Sequence, residues 1–172
     1  MRIVTAITIL CLLASPAAAA GWTTGPAPSD DPTMQAATVV NDDGHTLYLW
    51  ARHADARYQV FAELHLGRGE AFAGTPPTYR IDDGKTIDTK DIADQGEELG
   101  ALWAYVGKDA AFWLVWTSIQ DSILPSDVFH AWLAGNQIEI TYVAADGTAK
   151  TTVFPLAAAA AALHKATGLN TP

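Results

Sequence analysis

Cysteine is nearly absent: the 172-residue chain has one, Cys11, and it lies within the first twenty residues. Those residues carry the parts of an export signal. Arg2 supplies the positive start, Ile3 to Leu13 an apolar run too short to span a bilayer, and Ser15-Pro16 a helix break. Ala18 and Ala20 then offer small side chains at the −3 and −1 positions, so cleavage is expected before Gly21. Leu10, where a lipoprotein signal needs a small residue, argues against a lipid anchor at Cys11. Cleavage at this site would remove the sole cysteine, leaving an exported domain with no disulfide and no thiol chemistry, held by its core alone.

Positive charge is also scarce. Taking 20 of 172 residues away leaves 152, with nine Lys and Arg against nineteen Asp and Glu, a formal charge of −10. Such a surface repels nucleic acid and anionic lipid. A second long hydrophobic run is missing, so no membrane anchor is expected after cleavage, and the setting is periplasmic or secreted. The length suits one domain, expected over residues 34–172 behind a loosely structured lead-in at 21–33, where Trp22 is placed to tuck against the core. There is no internal repeat and no βαβ rhythm.

What is present reads as β structure. Residues 34–40 form a strand ending at the Asn41-Asp42-Asp43-Gly44 turn. Residues 46–53 and 58–66 alternate and suit an antiparallel hairpin about residues 54–57. Pairing them sets Leu47 by Leu64, Leu49 by Ala62 and Ala51 by Val60 on an aliphatic face. Trp50 then meets Phe61, and Tyr48 meets Glu63, on the other. Three more hairpins turn at Asp82-Asp83-Gly84, Gly107-Lys108-Asp109 and Asp146-Gly147, while 93–100 reads as a polar exposed stretch. In the strand at 111–118, Phe112, Leu114 and Trp116 are expected on one face and Trp113 and Val115 on the other, which makes it central. A short helix over 127–134 and an alanine-rich helix over 156–167, stopped by Gly168, complete the chain. The expected fold is mainly β: an antiparallel two-sheet β-sandwich, with an open barrel as the alternative.

The order of these pieces, with Tyr79-Arg80-Ile81-Asp82, residues 136–142 (NQIEITY), Val153-Phe154-Pro155-Leu156 and the closing AAAAAALHKA helix, resembles the invasion-associated locus B family and related small periplasmic secretion-accessory proteins. Members of that family commonly carry cysteines in the mature domain, and this chain carries none there. The resemblance implies a β-rich envelope protein of non-enzymatic type, with another envelope protein as partner and no catalytic residues to carry over.

Candidate chemistry is thin. Asp82, Asp83, Asp88, Asp91, Asp94, Glu97 and Glu98 form the densest acidic stretch, but their spacing does not match an EF-hand loop, and Asp in turns has its own backbone reasons. His45 and His65 fall at the same end of the first hairpin without a third ligand. Ser118, Asp121 and His130 supply the residue types of a triad without a nucleophile elbow, and Asp127 with His130 sits at helical spacing. No enzyme, metal or cofactor is expected from this set. The remaining candidates are aromatic: Tyr48, Trp50 and Phe61 on the less aliphatic sheet face. If that face is covered they are core; if open and concave it is a binding surface for a small ligand or carbohydrate, and if open and flat it suits a protein partner.

Overall fold

The computed structural model describes residues 21–54, 57–119, 122–124, 126–169. The export signal expected over residues 1–20 lies outside them. Two antiparallel sheets form the frame of the domain, which is a β-sandwich with three short helices rather than a closed barrel. The strands of the large sheet are β1 (Thr23–Pro26), β2 (Gln35–Val40), β3 (Thr46–Ala54), β4 (Arg57–His65), β7 (Ala104–Val106), β8 (Ala110–Ile119) and β9 (Ser122–Leu124). They run in the order β1-β2-β3-β4-β8-β7, with β9 also on β8. The small sheet has the order β11-β10-β5-β6, from β5 (Thr78–Ile81), β6 (Ile87–Asp88), β10 (Gln137–Val143) and β11 (Ala149–Pro155).

The first hairpin has the register that its alternation demands: Leu47 opposite Leu64, Leu49 opposite Ala62, Ala51 opposite Val60, Trp50 opposite Phe61 and Tyr48 opposite Glu63. A shift of one residue would bring Trp50 and Tyr48 to the inner face and drive the leucines into solvent, so burial selects this pairing. The inner face, with Leu47, Leu49, Val60, Ala62, Leu64 and Trp113, packs on Tyr79, Ile138, Ile140 and Phe154 of the small sheet. Two helices close that core: α2 (Ser126–Ala134) supplies Phe129 and Trp132, and α3 (Ala159–Thr167) supplies Ala159, Ala162 and Leu163. No helix among the described residues is long and apolar enough to cross a membrane.

Four expectations need correction. Residues 21–33 are not merely a lead-in: β1 pairs with β2 at the sheet edge, and the Trp22 indole donates to the Pro155 carbonyl at 2.8 Å. The polar stretch at 93–100 is mostly exposed, as expected, but residues 93–98 belong to a helix, α1 (Thr89–Glu98), whose first turn is capped by the Asp88 carboxylate accepting from Lys90 N–H. The terminal helix begins at Ala159 rather than at residue 156, because Ala158 takes a left-handed φ of 71° that breaks the run from β11. Finally, Trp116 does not share a face with Phe112 and Leu114. Val60 pairs with Trp116 but Phe61 pairs with Leu114, so β8 holds one extra residue and bulges at Val115. The bulge turns Trp116 inward, where it stacks on Phe129 with ring centroids 5.1 Å apart.

Candidate ligand-binding site

The bulge and α1 together decide what happens on the outer face of the large sheet. α1 packs against β7 and β8 and covers one end of that face. There Phe61, Trp103 and Leu114 form a second small core, bordered by Trp50, Ile92 and Phe112. Beyond it the face stays open. The turn between β1 and β2 raises Pro28, Ser29 and Asp30 on one side, and the β7–β8 turn raises Gly107, Lys108 and Asp109 on the other. Between these walls, over β3, β4 and β8, lies a cavity of about 700 Å³.

Its aromatic lining comes from three strands: Trp50 and Phe112, both half-buried, and Tyr105, 56% exposed at the rim. Alternation puts all three on the outer face, since Trp50 pairs with Phe61 and Tyr105 with Phe112. Phe61 itself is 1% exposed. It lies beneath the Trp50 ring, stacked at 4.6 Å and 19°, so it supports the platform rather than meeting a ligand. Tyr48 is half-buried and packs edge-on against His65 at 5.1 Å, outside the cavity lining. Burial, with the nearby Glu63 second, raises its phenol above the ordinary value. Of the three aromatic candidates, Trp50 alone lines the cavity; Tyr105 and Phe112, which sequence reasoning did not single out as binding residues, line it with Trp50.

Glu63 is the polar group at the base of the site, 7% exposed. Its Oε2 accepts from Trp50 Nε1 at 3.1 Å, and its Oε1 stands 2.8 Å from His65 Nε2. A carboxylate has room for about four donors, so two positions remain for those of a ligand. Asp30 and Asp109 add two further carboxylates to the lining and Lys108 the one ammonium. The site therefore combines flat apolar rings with an excess of negative charge.

Other sequence candidates are occupied elsewhere. Asp82 accepts from Asn136 N–H and Gln137 N–H, which hold its carboxyl below the usual range, and Asp94 pairs with Lys90. No group of three His, Cys, Asp or Glu suited to a metal occurs among the described residues. His45 and His65 stand at the same hairpin end, but the pleat sends them to opposite faces: His65 to Glu63, His45 inward to Tyr142. His45 is 3% exposed and is a core residue. Its Nδ1 accepts from Gly67 N–H at 2.7 Å, which leaves the Nε2 hydrogen facing the Tyr142 hydroxyl. Tyr142 donates in turn to Glu70 at 2.6 Å, and Glu70 pairs with Lys150. The Ser118 hydroxyl accepts from Tyr58 N–H, while Asp121 of the same nominal triad lies outside the described residues.

Comparison with protein-family models, curated proteins and solved structures found no match to this chain.

Proposed function

We propose that this chain is an exported, non-enzymatic β-sandwich that binds a small ligand in the cavity on the outer face of its large sheet. One observation carries the reading: the face is concave, with stacking rings and a buried carboxylate converging on one space. Small-molecule sites are built this way, from apolar rings that supply contact area and a few fixed polar groups that supply orientation. A flat, broadly apolar face would have favoured a protein partner instead. The resemblance to the invasion-associated locus B family, and the leader expected over residues 1–20, supply the envelope setting of the proposal.

The test is a compound screen on the purified protein, read by two-dimensional NMR. Saturable shifts confined to Trp50, Tyr105 and Phe112, lost in Trp50→Ala, are the expected result. Recovery of a specific envelope protein whose capture is unchanged by Trp50→Ala, with no compound perturbing the cavity, would restore the protein-partner reading in its place.

A further inference from the structure

Resting on that reading, we infer that the cavity selects an organic cation, a flat guanidinium or amidinium above all, rather than a neutral sugar or an anion. Charge comes first. The lining carries three carboxylates, Asp30, Glu63 and Asp109, against the single ammonium of Lys108. Glu63 is the deepest of them and is held in place by Trp50 and His65, so its remaining lone pairs cost no reorganisation when a donor arrives. A carboxylate only accepts. A planar cation with two parallel N–H groups meets that demand with charge-assisted bonds, whereas a sugar hydroxyl donates to the carboxylate without bringing a charge to balance it.

The rings make the same selection independently. Trp50, Phe112 and Tyr105 present aromatic faces and edges around the carboxylate, and the negative face of a ring attracts a cation. The chain already uses this property on the same surface. The Arg52 guanidinium sits 5.1 Å from the Phe61 ring centroid, oriented by its Nε bond to Gln59 at 2.7 Å. An arginine thus occupies one aromatic face of the platform, and the cavity leaves Trp50 and Phe112 for a cation from outside. With nineteen acidic against ten basic side chains, the field of the whole chain draws cations toward it.

Benzamidine and benzamide separate charge from shape, since they are nearly isosteric and only the first is cationic. Titrated into the purified full chain and followed through the Trp50 indole N–H resonance, benzamidine is expected to bind at least roughly tenfold more tightly than benzamide. Glu63→Gln should remove most of that preference. Because Glu63 is buried, Asp109→Asn at the exposed rim serves as a second variant that leaves the core alone; it should weaken benzamidine by roughly two- to fivefold and leave benzamide unchanged. Benzamide or cellobiose binding as tightly as benzamidine would overturn the selection for a cation while the ligand-binding reading stands. Benzamidine affinity unchanged in both variants would overturn it too. Silence from all three probes overturns the cation inference, and an equally silent compound screen overturns the ligand-binding reading with it.

Discussion

The Trp50 indole lies flat on Phe61 and at the same time donates its N–H to Glu63, so one side chain joins the outer core to the only buried carboxylate of the cavity. These two roles separate by mutation. Trp50→Phe keeps a ring over Phe61 and loses the donor, which should cost about 1.5–3 kcal/mol, the usual worth of a hydrogen bond to a charged group. Trp50→Ala also uncovers Phe61, and the cost should rise to about 3–5 kcal/mol. Urea unfolding of the two variants checks the ordering. Equal destabilisation would mean that the stack contributes nothing and that Phe61 is covered by its other neighbours.

Tyr142 gives a prediction with a pH signature. Its hydroxyl, and then Lys150, hold the Glu70 carboxyl below its ordinary value of 4.5. A carboxylate whose folded value is depressed stabilises the protein above the unfolded value, and that contribution is lost as pH falls through the folded one. Tyr142→Phe removes the principal donor and leaves the buried His45 Nε2 without its partner. It should cost about 1–3 kcal/mol at neutral pH. The gap in thermal midpoint between wild type and variant should then narrow steadily below pH 4.5, as Glu70 protonates in both. A gap independent of pH from 3 to 7 would show that Glu70 takes no energetic part in the chain from His45 to Lys150.

How far the sequence was legible follows from which forces left a local trace. The Leu47–Leu64 and Trp50–Phe61 pairings could be read because alternation over nine residues admits a single buried register. The bulge at Val115 could not. It inserts one residue into a strand that is apolar on both faces, so no polar residue marks the slip, and Trp116 changes face without a change in pattern. α1 was obscured for the opposite reason. Its sequence is polar with a glycine in the last turn, and its helicity depends on the Asp88 cap and on docking against β7 and β8, which are tertiary facts. The cavity was half legible: Trp50 stood out on its strand, but its partners Tyr105 and Phe112 come from a hairpin some fifty residues on, and only the strand order β3-β4-β8-β7 brings them near.

That glycine in α1 yields a prediction against ordinary propensity. Replacing a helical glycine by alanine commonly stabilises by up to about 1 kcal/mol. At Gly96 a Cβ would come within 2.7 Å of the Ala101 carbonyl and 2.8 Å of the Trp103 Cβ. Overpacking of this kind costs about 1–3 kcal/mol, and Trp103 is itself part of the small core beneath the platform. Gly96→Ala should therefore destabilise by about 1–2 kcal/mol and displace Trp103, whereas Gln95→Ala, on the exposed side of the same helix, should change stability by less than about 0.5 kcal/mol. Stabilisation by Gly96→Ala in a thermal melt would show that the α1–Trp103 contact is loose.

The export proposal is tested at one peptide bond. Cleavage between Ala20 and Gly21 would leave Gly21-Trp22 as the new N-terminus, immediately ahead of β1 at Thr23. A cut a few residues later would remove Trp22, which donates its indole N–H to Pro155 and ties the edge strand to the end of β11. Loss of Trp22 would remove this tie from β1, whose turn into β2 carries Asp30 of the cavity wall. Expression of the full chain in a bacterium with two membranes should give a periplasmic product whose N-terminal sequence reads Gly-Trp-Thr-Thr. Ala20→Tyr, which places a large side chain at the −1 position, should leave the leader attached and the product at the inner membrane. Recovery of the wild-type chain from the cytoplasm with Met1 in place would remove the envelope setting from the proposal while leaving the cavity and its ligand to be judged on the binding data.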